Sequence, residues 1–241
     1  RVFSLRPIAE IHLNNLINNF HYVDSYIGSS KVMAVVKANA YGHGSIEVSK
    51  TLEKAGVYGL CVAIAEELIA LRESNINSPI LHLGVVENEN LGLYNSELNM
   101  CTINSVDDII MIKKFVDGSD NKIHCHLKFD TGMTRLGFDH KENESIFKYL
   151  LNNPQLDVQG IYSHFATADE GDLSYAFEQE KKFKFILNLA DQLDYQVNDI
   201  HFSNSGAALN IDQSYCNITR VGMLLYGALP SNEIQTSLFV Q

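Results

Sequence analysis

The stretch Val32-Met-Ala-Val-Val-Lys-Ala-Asn-Ala-Tyr-Gly-His-Gly44 decides how this chain reads. Its first five residues are an uninterrupted apolar run, which suits a short strand buried on both faces. Lys37 ends that run and small residues follow, so the ammonium stands where a pocket mouth would be. Lysine is a strongly hydrated point charge whose pKa falls when it is desolvated. Its neutral amine attacks carbonyl carbons and its protonated form does not. Tyr41 lies four residues on, across the turn, within reach of a phosphate. Gly42 and Gly44 allow φ > 0 or a close backbone approach. A bland alternative stands beside this: Lys37 closes a strand and points into water.

Outward from this stretch, short apolar segments alternate with helical patterns. Strands are expected at 31–37, 57–63, 79–84, 99–104, 122–130, 158–165, 199–204 and 217–222. Helices are expected over about 8–26, from Ser45 through Ala55, over 66–75, from Ser105-x-x-Asp108 onward, and over 174–193. Eight strands alternating with helices predict an α/β fold of the (β/α)8 TIM-type barrel class. A doubly wound open sheet is the alternative, weakened because no GxGxxG follows the first strand. The barrel makes a demand of its own, that functional residues fall at the C-terminal ends of strands. Lys37, Leu83, Lys128, Asp130, His164, Asn204, Ser205, Arg220 and Gly222 all do, with Arg135 in the loop after strand five.

The 241 residues are 46% hydrophobic, enough for a sizeable core. Net charge is −11 and no basic cluster is longer than Lys181-Lys182, which argues against nucleic-acid and anionic-membrane partners. Cys61, Cys101, Cys125 and Cys216 are widely spaced and read as buried thiols of a reduced, cytoplasmic compartment. No apolar run is long enough to span a membrane. The first seven residues lack a signal-peptide core. The chain also lacks an initiator methionine, so it reads as a processed product or a fragment.

Within Ile123-His-Cys-His-Leu-Lys-Phe-Asp130 the polar residues alternate, putting His124, His126, Lys128 and Asp130 on one strand face. A barrel interior explains this. A metal site on His124 and His126 lacks a third ligand at sensible spacing, and no metal is expected. Lys128 and Asp130 also read as an ordinary buried ion pair, and His164 as a core histidine.

The motif Val36–Gly44 resembles the cofactor-lysine signature of the alanine racemase family. Asp130-Thr-Gly-Met-Thr-Arg-Leu-Gly137 resembles a second signature of that family, and Ile161-Tyr-Ser-His-Phe-Ala-Thr-Ala-Asp-Glu170 a third. Asn204-Ser-Gly-Ala-Ala208 and Arg220-Val-Gly-Met223 continue the match, which runs from about residue 8 to 231. The resemblance implies pyridoxal 5′-phosphate (PLP) as cofactor, attached covalently at Lys37. It implies a phosphate site from Tyr41, Ser205, Gly222 and Met223, and Leu83 beside the cofactor. Barrel phosphate sites commonly use the loops after strands seven and eight, where three of these lie. A helix cap by Ser205 is compatible with that role.

The resemblance sets Arg220 against the pyridine nitrogen, His164 against Arg220, and Arg135 beside the ring. It makes Lys128 a candidate for carbamylation, alternative to the ion pair with Asp130. Arginine donates only, so a ring nitrogen facing it stays unprotonated and is a weaker electron sink than one facing a carboxylate. That suits removal and return of one α-proton. It also argues against the decarboxylases of the same fold type, which place a carboxylate there.

Residues 1–231 are accordingly expected to form the PLP-binding barrel. Residues 232–241 are expected to open a second, mostly β domain, cut short at the apolar ending Ser237-Leu-Phe-Val-Gln241. In the family that domain supplies a tyrosine to the partner subunit of a homodimer. The implied activity is interconversion of L-alanine and D-alanine, supplying D-alanine for bacterial peptidoglycan. The barrel alone is expected to be a poor racemase, because Lys37 would lack a proton-handling group on the opposite face. Alternatives are a racemase of another amino acid such as serine, or a single-domain PLP carrier without turnover.

Overall fold

The computed structural model describes residues 8–139, 143–234 and 236. Eight parallel strands carry the fold: β1 (Lys31–Val35), β2 (Gly59–Val62), β3 (Ile80–His82), β4 (Asn99–Ile103), β5 (Ile123–Asp130), β7 (Leu156–Tyr162), β8 (Asp199–His201) and β9 (Ile218–Val221). A two-residue strand, β6 (Phe138–Asp139), pairs beside the end of β5. The sheet runs in the order β8-β7-β5-β4-β3-β2-β1-β9. Its ends meet at a seam, where Asn217 N–H donates to Ile200 O (3.0 Å) and Arg220 N–H donates to Ser203 O (3.1 Å). The expected barrel is therefore what the chain builds.

Strand alternation sorts the side chains into two cores. Met33, Val35, Cys61, Leu81, Met100 and Ile218 pack together inside the barrel. Their neighbours Val32, Ala34, Leu60, Val62, Ile80 and Cys101 face outward, into the larger core under the helices. That outer layer is α1 (Leu13–Tyr26), α3 (Ser45–Ala55), α4 (Ala65–Glu73), α5 (Val106–Val116), α6 (Asn143–Leu151) and α7 (Ser174–Gln192). Ser105 opens α5 with a reciprocal capping box to Asp108, as its spacing implied. Among the described residues, no helix is long and apolar enough to cross a membrane. The four cysteines are buried and free.

The structure corrects several boundaries. Strands one to four, six, seven and eight stop before their expected ends, and residues left beyond the ladder, among them Lys37, Leu83, Gly84, His164, Asn204 and Gly222, line the mouth. Lys37 thus lies beyond β1 and His164 beyond β7. The first helix begins at Leu13 rather than near residue 8. α6 was not expected, and the loop at 86–97 holds a 3-10 helix, Asn88–Asn95. Most of the segment expected to open a second domain, 235 and 237–241, lies outside the described residues.

Candidate active site

Lys37 begins a single turn, α2 (Lys37–Tyr41), that is left-handed. Ala38, Asn39, Ala40 and Tyr41 have φ of 51 to 53°. Left-handed backbone costs an L-residue about 1–2 kcal/mol, so four in succession need support from their surroundings. Ala40 N–H donates to Val36 O (2.8 Å) and Gly44 N–H to Asn39 O (3.0 Å). Asn39 Oδ1 accepts from Ser45 N–H (2.9 Å), tying the turn to α3. The Glu67 carboxylate bridges Ala38 N–H (2.6 Å) and Ala63 N–H (2.8 Å). Gly42 and Gly44, both at φ 90°, release the chain from the turn. Tyr226 braces it from behind, donating to Val35 O at 2.9 Å.

A cavity of about 340 Å³ opens at the C-terminal ends of the strands. Lys37, Tyr41, Leu83, Lys128, Arg135, His164, Ser205, Arg220, Gly222 and Met223 all line it. Of the residues expected at this rim, Asn204 lines it too, while Asp130 does not. Tyr162, Asp169 and Pro230 line it as well and were not singled out. Tyr162 and Asp169 lie inside the third signature, but nothing in their spacing distinguished them from core or loop residues.

Arg220 anchors the floor. It is 3% exposed, and its two terminal nitrogens are fully engaged. Nη1 donates to His201 Nδ1 (2.6 Å) and to His201 O (3.2 Å). Nη2 donates to Ser163 O (2.7 Å) and lies 3.3 Å from His164 Nδ1 and 3.5 Å from Phe202 O. The remaining donor, Nε–H, has no acceptor among the described residues. Burial pulls the guanidinium below its ordinary pKa, but its ring of carbonyl and imidazole acceptors keeps it a cation. Burial, then the charge of Arg220, lowers His164 well below the ordinary imidazole value, so it is neutral.

Lys128 is buried, and its pKa falls from 10.5 to about 8. Burial is the main cause, Arg220 and Arg135 add to it, and Asp130 opposes. The expected Lys128–Asp130 ion pair is not formed. Asp130 Oδ1 instead accepts from Gly132 N–H (2.9 Å) and Thr134 N–H (3.0 Å), holding its own loop. Ser205 is not a helix cap either. Asn204 caps α8 (Ser205–Asn210), accepting from Ala207 N–H at 2.9 Å. Ser205 Oγ is turned to Gly222 N–H (3.1 Å). A Cβ on Gly222 would come within 2.9 Å of the Tyr41 hydroxyl, so glycine is what keeps this corner open.

The histidines of β5 are engaged with other groups. His124 Nδ1 lies 2.8 Å from Asp157 Oδ2, while His126 faces His201 and Met100. Among the described residues, no group of three or more His, Cys, Asp or Glu is placed to hold a metal ion.

A closed parallel barrel with its cations gathered at the strands' C-terminal ends has the architecture of a TIM-barrel enzyme. A family model described as "Alanine racemase, N-terminal domain" matches residues 11–230, and the chain belongs to that family. It is 37% identical over 233 residues to the alanine racemase of Clostridium kluyveri, covering 95% of this chain and 59% of that protein. It is 36% identical to the alanine racemase of Carboxydothermus hydrogenoformans, covering 97% and 64%. Among solved structures, the alanine racemase of Clostridium difficile 630 in complex with cycloserine superposes with a TM-score of 0.90 at 33% identity, covering 95% of this chain and 64% of that one. The Bacillus anthracis alanine racemase with bound L-Ala-P gives 0.87 at 31% identity, covering 97% and 63%. The chain spans about three-fifths of the length of the curated relatives it matches.

Proposed function

We propose that this chain is the cofactor-binding barrel of an amino-acid racemase that interconverts L-alanine and D-alanine with PLP. The observation that carries this is the charge of the cavity. Lys37, Lys128, Arg135 and Arg220 line one wall system in a protein of net charge −11. A local cationic site in an acidic protein suits a phosphate and a substrate carboxylate.

The residues present fit the cofactor. Ser205 Oγ, the Tyr41 hydroxyl and the backbone of Gly222 and Met223 form a corner held open by glycine, fit for a phosphate. Arg220 Nε–H is a donor in need of an acceptor, and an unprotonated pyridine nitrogen is one. Leu83 offers an apolar wall. Bound there, PLP would supply the electron sink that acidifies the α-proton of an amino acid.

The chain's own groups would do the rest. Lys37 would be the attachment point and would hold or move the α-proton on one face. Arg135 would orient the substrate, and His164 would steady Arg220. Lys128, with its amine pushed towards neutrality, would take up CO2 and become an anion able to hold Arg135. Inversion needs a second group on the opposite face, which the resemblance assigns to a tyrosine of a partner subunit. The whole protein is accordingly proposed to be a cytoplasmic homodimer. Residues 1–231 would be its barrel, with 232–241 opening a second domain.

Incubation with PLP and borohydride should fix the cofactor to the peptide containing Lys37, read by mass spectrometry, and Lys37→Ala should abolish the adduct. In D2O, L-alanine should gain deuterium at Cα in the presence of the loaded protein. A fixed adduct without any exchange would overturn the racemase reading in favour of a carrier.

A further inference from the structure

Two side chains of α7 reach across the rim of the barrel to the loop that carries Arg135. Tyr175 and Gln179 lie one turn apart on the same face of the helix. The Tyr175 hydroxyl donates to Gly132 O at 2.8 Å. Gln179 is completely buried. Its Oε1 accepts from Ala166 N–H (2.9 Å), and its Nε2 donates to His164 O (3.1 Å) and lies 3.4 Å from Thr131 Oγ1. Thr131 Oγ1 stands in turn 2.8 Å from Ser163 Oγ. One helix face thus ties the loop after β5 to the loop after β7.

The gripped loop is held together from its start to its arginine. Asp130 Oδ1 accepts from both Gly132 N–H and Thr134 N–H, and Thr134 stands at φ 54° immediately before Arg135. Fixing residues 131 and 132 therefore fixes where Arg135 leaves the backbone. Gly132 is at φ 140°, and a Cβ there would come within 2.5 Å of the Tyr175 hydroxyl. The loop is shaped to receive that hydroxyl. The Arg135 side chain lines the cavity, is exposed, and makes no hydrogen bond among the described residues, so its placement comes from its backbone. An apolar side chain in place of Gln179 would fill the same space without the cost of desolvating an amide. A buried amide engaged at both ends instead specifies one arrangement of the groups it joins.

We propose that Tyr175 and Gln179 are positioning residues: from α7 they clasp the loop after β5 to the loop after β7 and so set the place of Arg135 in the cavity. The proposal deepens the reading of Arg135 as the group that orients the substrate and rests on it.

Titration of the Lys128 side chain, followed by carbon-13 NMR in carbonate-free buffer, tests this without cofactor or substrate. Burial, then Arg220 and Arg135, hold that amine down to about 8 against the pull of Asp130. Tyr175→Phe and Gln179→Leu should each raise its midpoint towards the value found in Arg135→Ala. In an Arg135→Ala background neither should move it further. Equal shifts in both backgrounds would mean that the helix acts on the burial of Lys128 rather than on Arg135, and would overturn the proposal. An unmoved midpoint in Tyr175→Phe would overturn it too. That variant loses one hydroxyl from an exposed residue and carries the test even if Gln179→Leu fails to fold. With PLP bound, both variants should raise the half-saturating L-alanine concentration for α-proton exchange several-fold, with a smaller change in the maximal rate. Lys128 midpoints as expected without that rise would sustain the clasp and remove Arg135 from substrate orientation.

Discussion

Lys128 shows how a single residue acquires properties that its type does not predict. The folded chain holds its pKa near 8, against an ordinary 10.5, mainly by burial and then by two arginines. Below about pH 8 both folded and unfolded states are protonated there, and the fold carries the full cost of a buried charge. Between about 8 and 10.5 the unfolded chain binds the proton that the folded chain has released. Stability therefore rises with pH across that window. In carbonate-free buffer, urea midpoints of wild type should climb over this range relative to those of Lys128→Met. Parallel slopes would show that Lys128 does not titrate this way. With 13C-bicarbonate added, the neutral amine should take up CO2, forming an N–C bond and releasing a proton. The carbamate carbon signal should be absent in Lys128→Arg. The sequence marked Lys128 through the period-two pattern of β5. It could not show that Asp130 would be consumed by its own loop, since that depends on how residues 131–134 fold back.

At the scale of elements, α2 is the costly piece. Ala38 is exposed and sits at φ 51°, so its side chain contributes strain and little packing. Ala38→Gly should relieve roughly 1–2 kcal/mol of left-handed strain and lose about 0.4–1 kcal/mol to the greater freedom of the unfolded chain. A small net gain in denaturant midpoint is expected, and a loss would mean that the methyl group supports the turn. α5 offers the opposite case, an element secured by its own local sequence. Ser105→Ala removes the acceptor for Asp108 N–H and should cost about 1 kcal/mol in the same measurement. The capping box was legible because it is local. The left-handed turn was not, because Gly42 and Gly44 signalled positive φ only at themselves. Of its other residues, Asn39 is tied to Ser45 nearby, and Ala38 is held by the Glu67 carboxylate, a contact that the tertiary fold supplies.

For the whole molecule, the decisive event is closure of the barrel between β8 and β9. Asn217 stitches that seam. Its Oδ1 accepts from Ile200 N–H (2.8 Å), its Nδ2 donates to Asn198 O (2.6 Å), and its backbone carbonyl accepts from Lys31 N–H (2.9 Å). Asn217→Ala should lose about 1–3 kcal/mol and speed amide exchange at Ile200, and an unchanged exchange rate would show that the seam holds without it. The alternation of strand and helix, the eight principal strands and the rim on which most of the polar residues fall were legible in the chain alone. These follow from periodicity and burial, which are properties of short windows. It also carried the signatures that joined Lys37, Arg220 and their neighbours into one expected site. Which side-chain donor of Arg220 remains for a ligand was settled in the folded chain, because the others are claimed by residues 18 to 57 positions away. It alone brought His126 and His201 together beneath that arginine. Facing side chains from different strands meet only when the sheet closes, and no local pattern encodes which atoms will then be in contact.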